Sequence, residues 1–295
     1  MSFNVQKLAR KLGKAVIAAT THTDLFEDLN PSVWIHKRFG KEVTVRYYPN
    51  EPAKECSLTK EMRIEAGSLE DWHRLAGFHY RSHRFAGPRK VFRLMRGDEL
   101  CGVIVYAYPP PTCFGRSLVL PKMKPKELNR TLSTISRVVI HPKYRSIGLG
   151  ARLVRETLPF AGTPYVEAVA VMARYNPFFE RAGMRKVAEQ PPPKEALKIT
   201  ETLRSLGFNT RLLCSGKYML RKLHSLNSEQ INTIKEAFIK YAHPRFMKSF
   251  SMKMPFGSKE AYAEEVRGAN LERLTYLIKI CGFLMQTKAY LFWQR

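Results

Sequence analysis

Arg145, Gly148 and Gly150 stand in the run "TISRVVIHPKYRSIGLGARLVRETL", residues 134–158, at a spacing that suits an anion. The β-branched segment "ISRVVI" reads as a buried strand. His141-Pro142 stops it, because proline cannot donate to a strand ladder. The two glycines then fall where a helix must begin. Without Cβ atoms the backbone can approach a ligand closely, and the first amides of a helix have no partner within it. Such open amides form a ready phosphate site, and Arg145 can bring a fork of donors to the same anion. Behind the glycines, Leu149, Leu153, Val154 and Leu158 share an inward face, while Arg152, Arg155 and Glu156 fall on the wet one.

This spacing is neither the three-glycine dinucleotide fingerprint nor a P-loop, whose G-x-x-x-x-G-K-[ST] pattern occurs nowhere in the chain. Titratable candidates lie on both sides of it. Glu167 stands in the apolar strand "YVEAVAV", where a carboxylate is costly unless used or paired. A general base and a salt bridge to one of the many arginines are both open to it. His79 and His83, in "FHYRSHRF", are further base candidates. Four residues apart with no third Cys or His partner nearby, they make no metal site.

The elements that must position these groups follow from period and punctuation. "EMRIEA" alternates as a strand, and "SLEDWHRLAGFHY" opens on a Ser cap with Asp71 three residues on. "RKVFRLMRGDELCGVIVYAYP" is two apolar runs joined by Gly97-Asp98, a hairpin signal. A Pro-rich basic connection, 109–126, leads to the glycine run, followed by the strand "YVEAVAVMA" and the helix "NPFFERAGM". Ahead of this block, 1–55 alternates a basic helical piece, an apolar strand at Ala15–Ala19, an acidic turn and two short strands. Beyond "EQPPPKEA" the chain reads as helical, with a period near 3.6 over 194–206, 228–241 and 259–281.

Arg145, Gly148 and Gly150, with "ARYNPFFERAGM" after the next strand, resemble the Arg/Gln-x-x-Gly-x-Gly/Ala turn and the Asn-aromatic-Gly block of the GCN5-related N-acetyltransferases. The resemblance covers about 60–188. It implies a mixed, mostly antiparallel α/β sheet splayed between its fourth and fifth strands, with acetyl-CoA bound in the opening. Backbone amides of Arg145, Ser146, Ile147, Gly148, Leu149 and Gly150 would hold the pyrophosphate. Main-chain groups of Val138, Val139 and Ile140 would hold the pantetheine arm and polarise the acetyl carbonyl. Asn176 would face the cofactor from the other arm, with Phe179 beside it. The family often places a Tyr acid where this chain has Phe179, which cannot donate a proton. Tyr175 is the substitute, or a packing aromatic; Glu167 and His79 are the base candidates. The domain boundaries implied are 56–189 for the transferase and 190–295 for a mainly helical basic extension. Residues 1–55 resemble the tail of an ABC-type ATPase domain, ending a strand at His22, as in archaeal fusions of such an ATPase to an acetyltransferase. No Walker A loop is present, so the segment reads as a packing or docking subdomain, with a separate ATPase as one partner open to it.

Charge narrows the partners. The 295 residues carry 50 Lys and Arg against 25 Asp and Glu, a positive field that draws polyanions. From Pro191 onward there are 18 Lys and Arg against 8 Asp and Glu. The stretches 79–90 and 109–130, which the resemblance implies frame the acceptor, interleave Lys and Arg with Tyr, Phe and Pro, which suits nucleotides and would repel a polyamine. The acceptor amine is expected on nucleic acid, RNA or a modified base, with RNA before DNA. A protein amine, or a CoA-binding module without turnover, stands as the alternative. The five cysteines are far apart with no C-x-x-C pair, favouring a reducing compartment. No leader or membrane-length apolar run is visible, so a cytoplasmic location away from membranes is expected. Pairing with a second copy of the chain is left open.

Overall fold

The computed structural model describes residues 2–79, 87–171, 173, 176–250 and 258–295. His83 and Tyr175, both singled out above, lie outside these residues. The chain forms two compact units, one of residues 1–169, 177–187 and 290–295 and the other of residues 170–176 and 188–289.

The first unit opens with α1 (Ser2–Lys11), α2 (Phe26–Leu29) and the antiparallel hairpin of β1 (Val33–Lys37) and β2 (Val43–Tyr47). Ala15–Ala19, expected as a strand, has no regular structure, is exposed and joins no sheet. Its apolar content satisfies the propensity for a strand but finds no neighbour, and pairing makes a strand. Asp28, buried in α2, accepts the Ser57 amide at 2.7 Å and fastens this segment to the turn of Ser57–Glu61 at the edge of the main sheet.

A seven-stranded sheet comes next, in the order β3-β4-β5-β6-β7-β9-β8. Its members are β3 (Met62–Ala66), β4 (Pro88–Arg96), β5 (Glu99–Ala107), β6 (Leu132–Ile140), β7 (Tyr165–Ala170), β8 (Arg185–Gln190) and β9 (Lys288–Gln294). The first four pair antiparallel in succession, and β6 pairs parallel with β7. This is the mixed, mostly antiparallel sheet that the sequence implies. Gly97-Asp98 makes the β4–β5 turn as expected. The helix α3 (Leu69–Leu75) starts at Ser68, whose backbone amide donates to the Asp71 carboxylate at 2.8 Å. Its Trp72 and Leu75 pack with Leu100, Val103, Val105 and Val139 on one face of the sheet. The short α4 (Pro125–Thr131), α5 (Leu149–Thr157) and one-turn α6 (Phe178–Arg181) complete the unit.

The second unit is helical: α7 (Lys194–Ser205), α8 (Gly216–His224), α9 (Ser228–Lys240), α10 (Pro244–Phe250), α11 (Lys259–Arg267) and α12 (Leu271–Leu284). Ile199, Leu203, Met219, Phe238, Phe246, Leu274 and Ile278 are among its buried core. The single helix expected over 259–281 is two, broken at Gly268-Ala269-Asn270, where Asn270 caps α12 by accepting the Arg273 amide at 2.8 Å.

The largest departure from the sequence reading concerns the end of the chain. Residues 288–294 are not part of a helical extension: they return to the sheet as β9, between β7 and β8. The helical unit is thus an insertion between the last two strands. Ala289, Tyr290, Leu291 and Phe292 are all buried. At about 1.5–3 kcal/mol for each large apolar side chain, β9 carries a sizeable part of a typical 5–15 kcal/mol stability. A chain ending at residue 287 is expected to lose its cooperative thermal transition in calorimetry. A transition retained within about 2 °C of the full chain would show that β9 is not integral to the sheet.

Candidate cofactor and acyl-transfer site

Parallel pairing between β6 and β7 runs from Leu132↔Tyr165 to Ile135↔Ala168 and stops there. Beyond that point β6 continues to Ile140 and is paired on its other edge, where Val138, Val139 and Ile140 face Ile104, Val103 and Gly102 of β5. Among the described residues, the edge toward β7 has no strand partner from Ser136 to Ile140, and main-chain groups left so demand one. Opposite Val105 and Tyr106 the register slips, so Ser136 is the extra residue of a bulge at the mouth of the splay. The expected opening between the fourth and fifth strands of the sheet is therefore present.

At the end of β6 the chain makes a braced turn. Tyr144 is 1% exposed, and its hydroxyl donates to the Glu99 carboxylate at the start of β5. Lys143 pairs with the same carboxylate at 3.3 Å. The Tyr144 phenol, followed by Lys143, holds the Glu99 carboxyl below the usual carboxylate range. A depressed carboxyl contributes in full above its unfolded value of about 4.3 and less as acid titrates it, so this brace is intact at neutral pH. The Arg145 side chain does not reach outward as the sequence suggested. Its Nε donates to the Ile140 carbonyl at 2.9 Å and its Nη2 to the Phe78 carbonyl at 3.3 Å. Main-chain acceptors at the end of β6 and at Phe78 draw the guanidinium back, and it stiffens the turn.

The segment so braced leaves its amides open. Ser146, at φ 71°, is a non-glycine residue in the left-handed region, and Gly148 caps α5 at φ 91°. Strained backbone of this kind persists only where the surroundings enforce it. Among the described residues, the N–H groups of 146–151 donate to no backbone carbonyl, and no side chain caps α5. A Cβ placed on Gly148 would meet no atom within 4 Å, so that face opens to solvent. Gly150 lies against the Phe178 ring, 3.5 Å from where its Cβ would be. The α5 helix is fixed from behind by Leu149, Leu153 and Val154 in the core. Arg152, expected to be solvated, donates instead to the Thr59 and Met62 carbonyls at 2.6 and 3.1 Å. Open amides, a helix start and a bare Gly148 face form a cradle whose donors suit an anion such as a diphosphate. The residues present therefore fit a coenzyme A moiety.

Glu167 has the salt bridge rather than an open carboxylate. It is fully buried, and Arg116 donates to it twice, from Nη2 at 2.7 Å and from Nε at 3.0 Å. Thr134, across the last rungs before the splay, donates at 2.8 Å, and Tyr290 of β9 donates at 2.9 Å. Burial first, then the Glu167 charge, pushes the Tyr290 hydroxyl up, so it stays a donor. With both oxygens already accepting from these four donors in a buried site, the carboxylate has no open face toward a substrate. The same Arg116 donates to the carbonyls of Pro110 and Pro111 at 2.9 and 3.2 Å, which ties the Pro-rich loop to the sheet. Gly115, at φ 80°, lets that loop pass Tyr290: a Cβ there would fall 2.8 Å from the ring. Sequence reasoning missed Tyr290 and Arg116, since only the return of β9 brings residue 290 beside residue 167.

His79 is half-buried and meets the edge of the Trp72 ring at 5.6 Å, while the Arg137 guanidinium lies 5.6 Å over the same ring. It therefore belongs to the side-chain cluster beside the bulge. Phe179 is 7% exposed and stacks on Phe178 at 4.1 Å, a core ring. Asn176 is exposed, just ahead of α6.

No protein-family model and no curated protein matches the sequence. Solved structures similar to it are acetyltransferases. The Bacillus subtilis acetyltransferase in complex with CoA is 17% identical, over 44% of this chain and 81% of that one, at a TM-score of 0.33. IAA acetyltransferase from Bacillus cereus is 15% identical, over 44% and 81%, at 0.34. A putative acetyltransferase from Pyrococcus horikoshii is 10% identical, over 80% and 90%, at 0.35. At this level the likeness carries no weight beside the strand order, the splay and the open turn.

Two substitutions separate the cradle from its support. Gly148→Ala is expected to cost about 1–2 kcal/mol of stability, since the left-handed conformation disfavours any Cβ. It should lower CoA affinity at least about tenfold in calorimetry, which is about 1.4 kcal/mol. Glu167→Gln should cost about 3–5 kcal/mol in urea denaturation, by leaving the Arg116 charge buried and unpaired. Unchanged CoA affinity in the first, or a loss under about 1 kcal/mol in the second, would contradict these assignments.

Proposed function

We propose that this chain is an acetyl-CoA-dependent N-acetyltransferase whose acceptor is an amine presented by nucleic acid, RNA before DNA. The observation that carries the cofactor half is the set of amides at 146–151 that have no acceptor among the described residues, beside a strand pair whose pairing ends at Ile135 and Ala168. When bound, acetyl-CoA supplies an activated thioester acyl group. The chain's own part is to hold and orient. The amides of Ser146–Ala151 take the diphosphate, and the free edge of Val138, Val139 and Ile140 takes the pantetheine amides. The N–H groups along that edge sit where charge develops on an acyl oxygen, and fixed donors of this kind are usually the largest catalytic term.

The proton of the attacking amine is assigned to His79 rather than to Glu167, whose lone pairs Arg116, Thr134 and Tyr290 already occupy. A neutral imidazole is the side chain best matched to that task near neutral pH. Arg116 and Glu167 then act as positioning residues that hold the acceptor-side loop in place.

The acceptor reading rests on that loop and its margins. Tyr108 is half-exposed under the Arg89 guanidinium, 4.5 Å from its ring. Lys122, Lys124, Lys126 and Arg130 are exposed along the same connection and its helix. Cations among aromatics favour a phosphate-bearing acceptor over a cationic one. The buried Phe179, where a phenol would be a proton donor, favours the second reading, a CoA-binding nucleic-acid module without turnover.

Incubation with radiolabelled acetyl-CoA and total RNA, DNA or protein separates these readings. Label in RNA is expected, with the rate reduced about 100-fold or more in His79→Ala while CoA still binds. Label only in polypeptide would contradict the acceptor assignment. CoA binding with no label anywhere would favour the module without turnover.

A further inference from the structure

The helical unit carries a surface for which acyl transfer has no use. From residue 202 to 228 the chain contains no Asp or Glu, yet it contains Arg204, Arg211, Lys217, Arg221, Lys222 and His224. The helix α8 gathers part of this set into a stripe. Lys217, Arg221 and His224 are exposed at i, i+4 and i+7, while Met219 and Leu223 fill the core at 0% and 1% exposure. At 1.5 Å of rise per residue the stripe is about 10 Å long. Neighbouring contacts add cations at its margin. Tyr218 on α8 accepts the Asn209 amide through its hydroxyl at 2.7 Å, which fixes the loop bearing Arg211 against the helix. Lys222 reaches back over the Phe208 ring, 5.8 Å from its centroid.

Two bland explanations fall short. Ordinary surface cations find carboxylates, as Lys198 does with Glu201 at 3.0 Å and Arg267 with Glu236 at 3.6 Å in the same unit. Among the described residues no such pair forms for Lys217, Arg221, Lys222 or His224. Helix-dipole compensation would account for Arg221, Lys222 and His224 in the last turn of α8. It does not account for Lys217, which stands in the first turn, where the dipole disfavours a cation. Unrelieved like charge costs free energy that a bound polyanion recovers by releasing its counterions.

We propose that the exposed stripe of α8, Lys217, Arg221 and His224 with Arg211 and Lys222 beside it, docks the phosphodiester backbone of nucleic acid. Its place in catalysis rests on the nucleic-acid acceptor reading; the binding itself does not. The contacts are with phosphates and carry no base readout, so the stripe positions a strand without choosing its sequence.

The test uses the full chain in three forms: wild type, Lys217→Ala/Arg221→Ala, and the control Arg38→Ala/Lys41→Ala, which removes equal charge from the exposed N-terminal hairpin. Fluorescence anisotropy follows a ~20-nucleotide RNA and the DNA of the same sequence between about 50 and 200 mM salt. The stripe variant should bind RNA at least about tenfold more weakly, with a salt slope shallower by about 1.4, two single-strand phosphate contacts' worth. The control should change less than about twofold, and CoA affinity by calorimetry should be equal in all three. Equal losses in stripe and control variants, or an unchanged stripe variant, overturn the proposal. So does binding to phosphatidylglycerol vesicles without binding to either nucleic acid. Retained CoA binding in that event leaves the cofactor site standing, whereas lost CoA binding is the separate signature of its failure.

Discussion

The turn that leads into α5 is under one constraint: the amides of 146–151 must stay open while everything around them is fixed. Tyr144 is sunk into the core and bonded to Glu99, and Arg145 is spent on the Ile140 and Phe78 carbonyls. Leu149, Leu153 and Val154 hold α5 from behind. Each of these contacts restrains the turn from outside its own hydrogen-bonding groups. Ser146 then takes a left-handed conformation that would relax in a free peptide, while Gly148 adopts its own at little cost. The cost is modest because it is spread over a rigid frame, and it leaves a row of donors already oriented. Preorganised donors of this kind lose nothing to rearrangement when an anion arrives.

The splay depends on a second fixed point. Strands pulled apart at one end must be pinned at the other, and Glu167 does so below the last rung. Its carboxylate joins Thr134 of β6, Arg116 of the Pro-rich loop and Tyr290 of β9. A buried ion pair of this sort is weak evidence for net stability. Its geometric effect is clearer: it sets four distant segments in one register and carries the loop's Pro110 and Pro111 carbonyls with it. The helical insertion is admitted between β8 and β9 because β9 is tied down on arrival.

Local signals were legible where local physics decides. The Ser68–Asp71 helix start, the Gly97-Asp98 hairpin and the glycine turn all depend on residues within a few positions of one another, and all stand where the sequence put them. Elements fixed by distant partners were not legible. Ala15–Ala19 has strand composition and no neighbour. "KAYLFWQ" at 288–294 reads as another apolar stretch at the end of a helical region until the sheet supplies its flanks. The same limit applies to the site. The amide cradle could be inferred from spacing, whereas the partners of Glu167 lie 33, 51 and 123 residues away. The inward turn of Arg145 also escaped notice, since its carbonyl acceptors are main-chain groups with no sequence signature.

Hydrogen exchange followed residue by residue across 145–151, with and without coenzyme A, addresses the central claim most directly. Unpaired amides at a helix start should exchange fast in the free chain and slow strongly on adding CoA. The amides of β4 and β5, already bonded in the ladder, should hardly change. Slow exchange at 146–151 in the free chain, or no change there at saturating CoA, would contradict the account.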